Sequence, residues 1–308
     1  MIVTITLNPA LRVQYEAQRV NWGAPNQVTR VRHRAGRGLA IARVLRALGN
    51  DVVAAGLAGG TTGQLIETDL ARSGVQTRFT AISADSRRSL EVADITREQT
   101  TILNEPAPYI TTEELGRFAA DYRRLMTEAE AVVLSGSLPA GLPPEIYGSL
   151  ATYAAEAGVP AIIDARGQAL WYGISRRPAL VIPGLDGPAG SAGPAGSAGL
   201  AGSAGPGQFD AAALVAGGVG TVAVVSDHDV QVVTADRRWS GTLDGHSQLP
   251  AIRDALVAGL IPGVVPGWSW PDTLRHAIAL GAAADSAGEV DMDAYDMLLP
   301  EVMVQSLG

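Results

Sequence analysis

No cysteine occurs in this chain, which removes disulfide frameworks, thiolate metal sites and cysteine nucleophiles together and leaves a fold held by packing. Histidine is scarce. His33, His228, His246 and His276 show no ligand spacing, so no metal site is expected. Positive charge is in the minority: 23 Lys and Arg stand against 31 Asp and Glu, a formal balance of −8. That balance argues against nucleic-acid or anionic-membrane binding. Long apolar runs are missing too. The most apolar late stretch, 256–265, is broken by Gly259, Pro262 and Gly263 well short of the roughly 20 residues that span a bilayer. The start, Met1-Ile2-Val3-Thr4-Ile5-Thr6-Leu7, has no basic region or cleavage site and reads as a buried first strand. The expectation is a soluble cytoplasmic protein.

What is present is a core. The chain has 308 residues, 47% of them hydrophobic, and is read as one domain spanning 1–308. Strand-like runs rich in β-branched residues fall at 2–7, 52–57, 131–134, 160–164, 180–182 and 221–225. Helical spacing marks 38–48, 112–126 and 144–156, the last opened by Pro143-Pro144. This alternation predicts an α/β fold with a mostly parallel sheet flanked by helices. Segments 13–34 and 89–104 alternate polar and apolar residues instead. They predict a small antiparallel sheet formed by lid segments at about 12–35 and 88–105, with long surface loops as the alternative. From 184 to 207 glycine recurs at every third position. With only Pro188, Pro194 and Pro206 between, this reads as a flexible insertion rather than a triple helix.

Five motifs resemble the ribokinase-like (PfkB) carbohydrate kinases, in the branch of 1-phosphofructokinases and tagatose-6-phosphate kinases. Thr6-Leu7-Asn8-Pro9-Ala10-Leu11 is similar to their opening strand and turn. Ala35-Gly36-Arg37-Gly38-Leu39-Ala40-Ile41-Ala42-Arg43 resembles their Gly-Gly-Lys-Gly-x-Asn-x-Ala-Arg segment. Asn104-Glu105-Pro106 and Ser135-Gly136-Ser137-Leu138-Pro139 resemble two of their loops, and Asp164 falls where they end a strand in Asp. Asp254-Ala255-Leu256-Val257-Ala258-Gly259 is similar to the helix that carries their catalytic Asp. The resemblance implies a ribokinase-like layer with a β-sheet lid that often makes a dimer contact. It also implies transfer of the ATP γ-phosphoryl, with Mg²⁺, to a sugar or sugar-phosphate hydroxyl.

Against that parts list the residues are mixed. Asp254 stands where the base belongs, although a carboxylate at a helix start is also favoured without chemistry. The family's Gly-Ala-Gly anion hole reads Ala251-Ile252-Arg253, and side chains there obstruct backbone donors. Arg253 is either a substitute donor or an exposed structural arginine, the second being expected. The Lys-Pro-Asn-x-x-Glu element that organises metal and phosphate reads Ile182-Pro183-Gly184-Leu185-Asp186-Gly187, which leaves Asp186 as surrogate ligand or turn residue. The nucleotide loop is shortened to Ser226-Asp227-His228-Asp229-Val230, so Ser226 is a weak cofactor contact and a hairpin is expected.

On the sugar side Asn8, Gly36 and Gly38 are retained. The family's Asp after Asn-Pro-Ala-Leu is Arg12, and its later Asn is Ala40. Arg12, Arg37 and Arg87 together form either an anion pocket or ordinary surface and lid arginines. Arg30, Arg32 and Arg34 alternate along a candidate strand, as a nucleic-acid stripe or, more commonly, a solvated edge. Asp285, Glu289, Asp291, Asp293 and Asp296 resemble a calcium loop in composition only. Three functional expectations follow. The preferred one is a degenerate PfkB homologue that binds an anion or sugar phosphate with little or no phosphotransfer, with the lid as a surface for a homodimer. The alternative is a working ATP- and Mg²⁺-dependent hexose-phosphate kinase using Asp254 as base. A different enzyme reusing the cleft stands third, with no convincing nucleophile or metal cage to support it.

Overall fold

The computed structural model describes residues 1–36, 38–184, 210–245, 253–285 and 289–307. Most of the glycine-rich stretch, Arg37, Asp186, His246, Ala251 and Ile252 therefore lie outside the described residues.

Buried β-branched runs build the main sheet. Its parallel part comprises β1 (Ile2–Thr6), β4 (Val52–Gly59), β5 (Gln76–Ile82), β8 (Ala131–Ser135), β9 (Ala161–Asp164), β10 (Leu180–Val181) and β11 (Thr221–Val225). The hairpin strands β12 (Asp229–Val233), β13 (Arg238–Thr242) and β14 (Met303–Ser306) extend it antiparallel at one edge. The order is β14-β13-β12-β11-β10-β9-β8-β1-β4-β5. All six expected strands are in it, and the α/β expectation holds.

Because side chains alternate along a strand, each strand feeds two cores. Ile2, Ala54, Val133 and Ile162 face α1 (Leu39–Ala47), α2 (Gly60–Arg72), α7 (Arg253–Leu260) and α8 (Trp270–Ala282). Val3, Ile5, Val53, Val132 and Ile163 face α3 (Thr112–Met126), α4 (Ile146–Glu156), α5 (Gly167–Ile174) and α6 (Ala211–Ala216). A further helix, α9 (Met292–Leu298), packs against α8. No described helix is long and apolar enough to cross a membrane.

Helix α3 has the bounds that the periodicity predicts, and a local reason for them. Thr111 caps it, its hydroxyl accepting from the Glu114 N–H at 3.2 Å while Glu114 accepts from the Thr111 N–H at 2.9 Å. Glu114 also accepts from the N–H and hydroxyl of Ser83, at 2.7 and 2.8 Å. These backbone and hydroxyl donors hold its carboxyl at about 2.

The polar-alternating segments form a second, four-stranded sheet in the order β3-β2-β6-β7, from β2 (Ala10–Ala17), β3 (Arg30–Ala35), β6 (Arg87–Asp94) and β7 (Gln99–Asn104). The sheet is mixed rather than antiparallel, because β2 and β6 pair in parallel, Ala10 opposite Arg87 and Arg12 opposite Ser89. The cause is topological. β2 follows β1 and β6 follows β5, so both leave the same edge of the parallel sheet in the same sense. The arginine-bearing β3 is an edge strand, and two of its arginines are paired: Arg32 with Glu16 at 3.4 Å, and Arg34 with Glu289.

Candidate functional site

In an open parallel sheet, ligands bind outside the carboxyl ends of the strands where successive connections diverge. Here the chain runs from β1 outward to β4 and β5, then returns to β8 on the other side of β1. At that place lies a cavity of about 770 Å³ between the main sheet and the smaller one. The ends of β1, β8 and β9 supply its floor through Thr6, Ser135 and Asp164. The smaller sheet supplies the opposite wall through Arg12, Ser89, Glu91, Ile102 and Asn104. These fall on one face because Arg12 registers with Ser89 and Asn104, and Glu91 with Ile102.

Of the sequence-predicted residues, Asn8, Arg12, Gly36, Gly38, Arg87, Arg253 and Asp254 all line this one cavity. Asn8 is buried just past β1; its amide donates to the Ser137 hydroxyl at 3.0 Å, and its Oδ1 has no partner among the described residues. The Thr6 hydroxyl is buried and likewise unpartnered there. Gly38 sits at φ 80°, a left-handed conformation in which a Cβ would come 2.9 Å from that hydroxyl. Gly36 donates its N–H to the Ala10 carbonyl at 2.8 Å. Together they bring the turn before α1 close to the floor without obstructing it.

The arginines divide. Arg12 is not a free arm of an anion pocket: its Nε pairs with Glu91 at 2.9 Å, both side chains being mostly buried. Arg87 enters no ion pair among the described residues, and its buried Nε has no hydrogen-bond partner there. Burial pulls its pKa below the ordinary value, although a guanidinium remains charged. Arg37 lies outside the described residues. The chain contains no lysine, so every cationic side chain is a planar fork suited to bidentate pairing.

Arg253 corrects the expectation of an exposed structural arginine. It is 8% exposed. Its Nε and one terminal nitrogen donate to Asp164 Oδ1 at 2.9 and 2.7 Å, and the same terminal nitrogen donates to the Ile182 carbonyl at 2.6 Å. The second carboxylate oxygen of Asp164 accepts from the Ser135 hydroxyl at 2.8 Å, and Tyr147 donates to the Ser135 carbonyl at 3.0 Å. A buried acid at the end of β9 thus becomes half of a neutral pair. Asp254 follows in the first turn of α7 and also lines the cavity.

Sequence reasoning missed Arg166 and Gln168, which stand at the start of α5 and line the same cavity. Their signal was position: they lie two and four residues past Asp164. The Arg166 side chain runs across Gly184, where a Cβ would collide with it.

Residues 5–183, more than half of the chain, match the model of the pfkB family of carbohydrate kinases. The chain belongs to that family. Among curated relatives it is 27% identical to a tagatose-6-phosphate kinase of Staphylococcus epidermidis, over 99% of both sequences. Among solved structures it is similar in fold to a possible 1-phosphofructokinase of Thermotoga maritima (TM-score 0.84, 21% identity, 100% of each chain). It is also similar to phosphofructokinase-2 of Escherichia coli in complex with fructose-6-phosphate (TM-score 0.81, 20% identity, 97% and 98% covered).

At the positions where the resemblance places ATP and Mg²⁺ contacts, the described residues of this pfkB chain are engaged as follows. Ser226 does not line the cavity but closes the hairpin between β11 and β12. Its N–H donates to the Asp229 carbonyl at 2.9 Å, and its hydroxyl bonds the Asp229 carboxylate. The turn at Ile182-Pro183-Gly184 ends in a residue without a side chain, crossed by Arg166. Among the described residues no group of three or more His, Asp or Glu side chains could hold a metal.

Proposed function

We propose that the chain binds a sugar phosphate in the cavity beneath the smaller sheet and transfers little or no phosphoryl group. The observation that carries this reading is Arg253. A side chain stands where the resemblance requires glycine, and it is spent on Asp164 and Ile182 O. Removing one transition-state donor costs on the order of 10²–10³ in rate, and the changes here fall on several such parts. Ligand recognition, by contrast, keeps its means. Arg87 offers a desolvated guanidinium for a phosphate, and the unpartnered oxygens of Asn8 and Thr6 suit polyol hydroxyls.

In this reading the smaller sheet is the lid, and a second copy docks along its open β7 edge, where Leu103 is 53% exposed. Calorimetric titration with tagatose 6-phosphate, fructose 6-phosphate and fructose 1-phosphate, each with and without Mg-ATP, tests the function. Binding of one sugar phosphate, unaffected by nucleotide, supports it; silence with all three removes it. The reading opposed to it is a working kinase with Asp254 as base, since that carboxylate faces the same cavity.

A further inference from the structure

The cavity is not uniform along its length. Thr6, Asn8, Gly36 and Gly38 make a polar end where β1 meets the turn before α1. The β7 side is apolar. There Ile102 lines the cavity from the smaller sheet and is 52% exposed, while Leu138, Leu142 and Ala169 line it from the main layer. The chain leaving β7 brings these two walls together. Tyr109 pairs with Ala140, and the Ile110 N–H donates to the Ala140 carbonyl at 2.9 Å, so the β7 side of the smaller sheet stands over the loop 138–142. That loop is fixed in turn. At Gly141, φ 86°, a Cβ would come 2.4 Å from the Ile110 carbonyl, and Leu138 and Leu142 pack on the core beneath. Two amides, Asn104 and Gln168, line the same cavity, and a few polar groups among apolar ones are the usual make-up of a small-molecule site.

Register separates this end from the phosphate anchor. Arg87 opens β6, and Glu91, four residues on, registers with Ile102. At the rise of a strand that is about 13 Å along the smaller sheet. An unsubstituted hexose phosphate presents hydroxyls over its whole length, and a hydroxyl set against Ile102 and Leu142 loses water without gaining a partner. Such a ligand leaves the apolar end wet. We infer that the ligand is a phosphorylated glycoside with an apolar aglycone, its phosphate at Arg87, its hydroxyls at Asn8 and Thr6, and its aglycone between Ile102 and Leu142. The inference rests on the sugar-phosphate reading above and names the part of the ligand beyond the sugar. Ile102 is the specificity-determining residue. Its β-branched side chain is stiff at χ1, so it presents a fixed apolar face at little entropic cost.

The test is titration of the full chain with the methyl and phenyl β-fructofuranoside 6-phosphates, beside the three hexose phosphates. The two glycosides share their hydroxyls and phosphate and differ only in apolar surface. The phenyl glycoside is expected to bind about tenfold or more tightly than the methyl glycoside. Ile102→Thr keeps the β-branch at an exposed position and is expected to cut that ratio about fivefold or more, whereas Ile102→Val retains most of it. Equal affinity for the two glycosides, or a ratio unchanged by Ile102→Thr, overturns the inference and leaves the sugar-phosphate reading standing. Failure of every sugar phosphate to bind the folded chain removes both.

Discussion

Arg253 donates twice to a single oxygen of Asp164, at 2.9 and 2.7 Å, across 89 residues of sequence. That pair joins the end of β9 to the start of α7, and the Ile182 carbonyl attaches the end of β10 to the same guanidinium. In the proposed reading, this buried ion pair occupies Arg253 where the resemblance places a glycine. Its first consequence is for stability. Replacing Arg253 by Met leaves a buried, unpaired Asp164 and is expected to cost about 3–5 kcal/mol. Adding Asp164→Asn should restore much of the loss. Urea denaturation of the two variants beside the parent measures both effects; a single variant as stable as the parent would show that the pair is not formed.

Acid stability should report on Glu114. Its carboxyl is held at about 2 in the folded chain against an ordinary 4.5, chiefly by the N–H groups of Thr111 and Ser83. A depressed folded pKa stabilises fully above the unfolded value and is lost as pH falls. The contribution is therefore complete above about pH 4.5 and disappears toward pH 2. Glu114→Gln is expected to lower stability at pH 7 by about 1–3 kcal/mol and to flatten the fall below pH 4.5. Denaturation midpoints at pH 7 and 3.5 separate the two.

A second buried pair governs the junction between the sheets. Asp69 Oδ2 accepts from the Ala35 N–H at 2.8 Å and from Arg43 at 3.0 Å, while Arg43 donates to the Ala35 carbonyl at 3.1 Å. Both polar groups of Ala35, the last residue of β3, are thereby fixed just before the loop that reaches the cavity. Asp69→Ala should cost about 3–5 kcal/mol and speed hydrogen exchange over 30–36 more than in α3. Uniform acceleration over the whole chain would deny the junction any local role.

Docking of a second copy along β7 predicts that Leu103→Lys changes assembly and not folding. Sedimentation should show a dimer for the parent chain and a monomer for the variant, with unfolding midpoints within about 0.5 kcal/mol of each other. A parent chain that sediments as a monomer at micromolar concentration contradicts the proposal.

The fold was legible in the sequence where burial and local chemistry agreed. β1, β8 and β9 read as apolar runs because both faces of a parallel sheet are covered, and α3 read to the residue from its apolar spacing, its start being fixed by a capping box. Helix α2 was not legible, since it opens Gly60-Thr61-Thr62-Gly63 and buries few side chains. Nor was the parallel pairing of β2 with β6, which depends on where β1 and β5 stand in the other sheet. At the site, motifs placed Asn8, Gly36, Gly38, Arg87 and Asp254 around one cavity. The burial of Arg253 depends on a partner 89 residues away, and no local pattern announces it.

In the proposed reading this pfkB fold binds without transferring. The most direct measurement is ADP release by the purified chain supplied with Mg-ATP and each hexose phosphate in turn, beside Asp254→Asn. Release at the rate of the protein-free mixture is expected for both proteins and every sugar. Sugar-dependent release by the parent, abolished in Asp254→Asn, would contradict it.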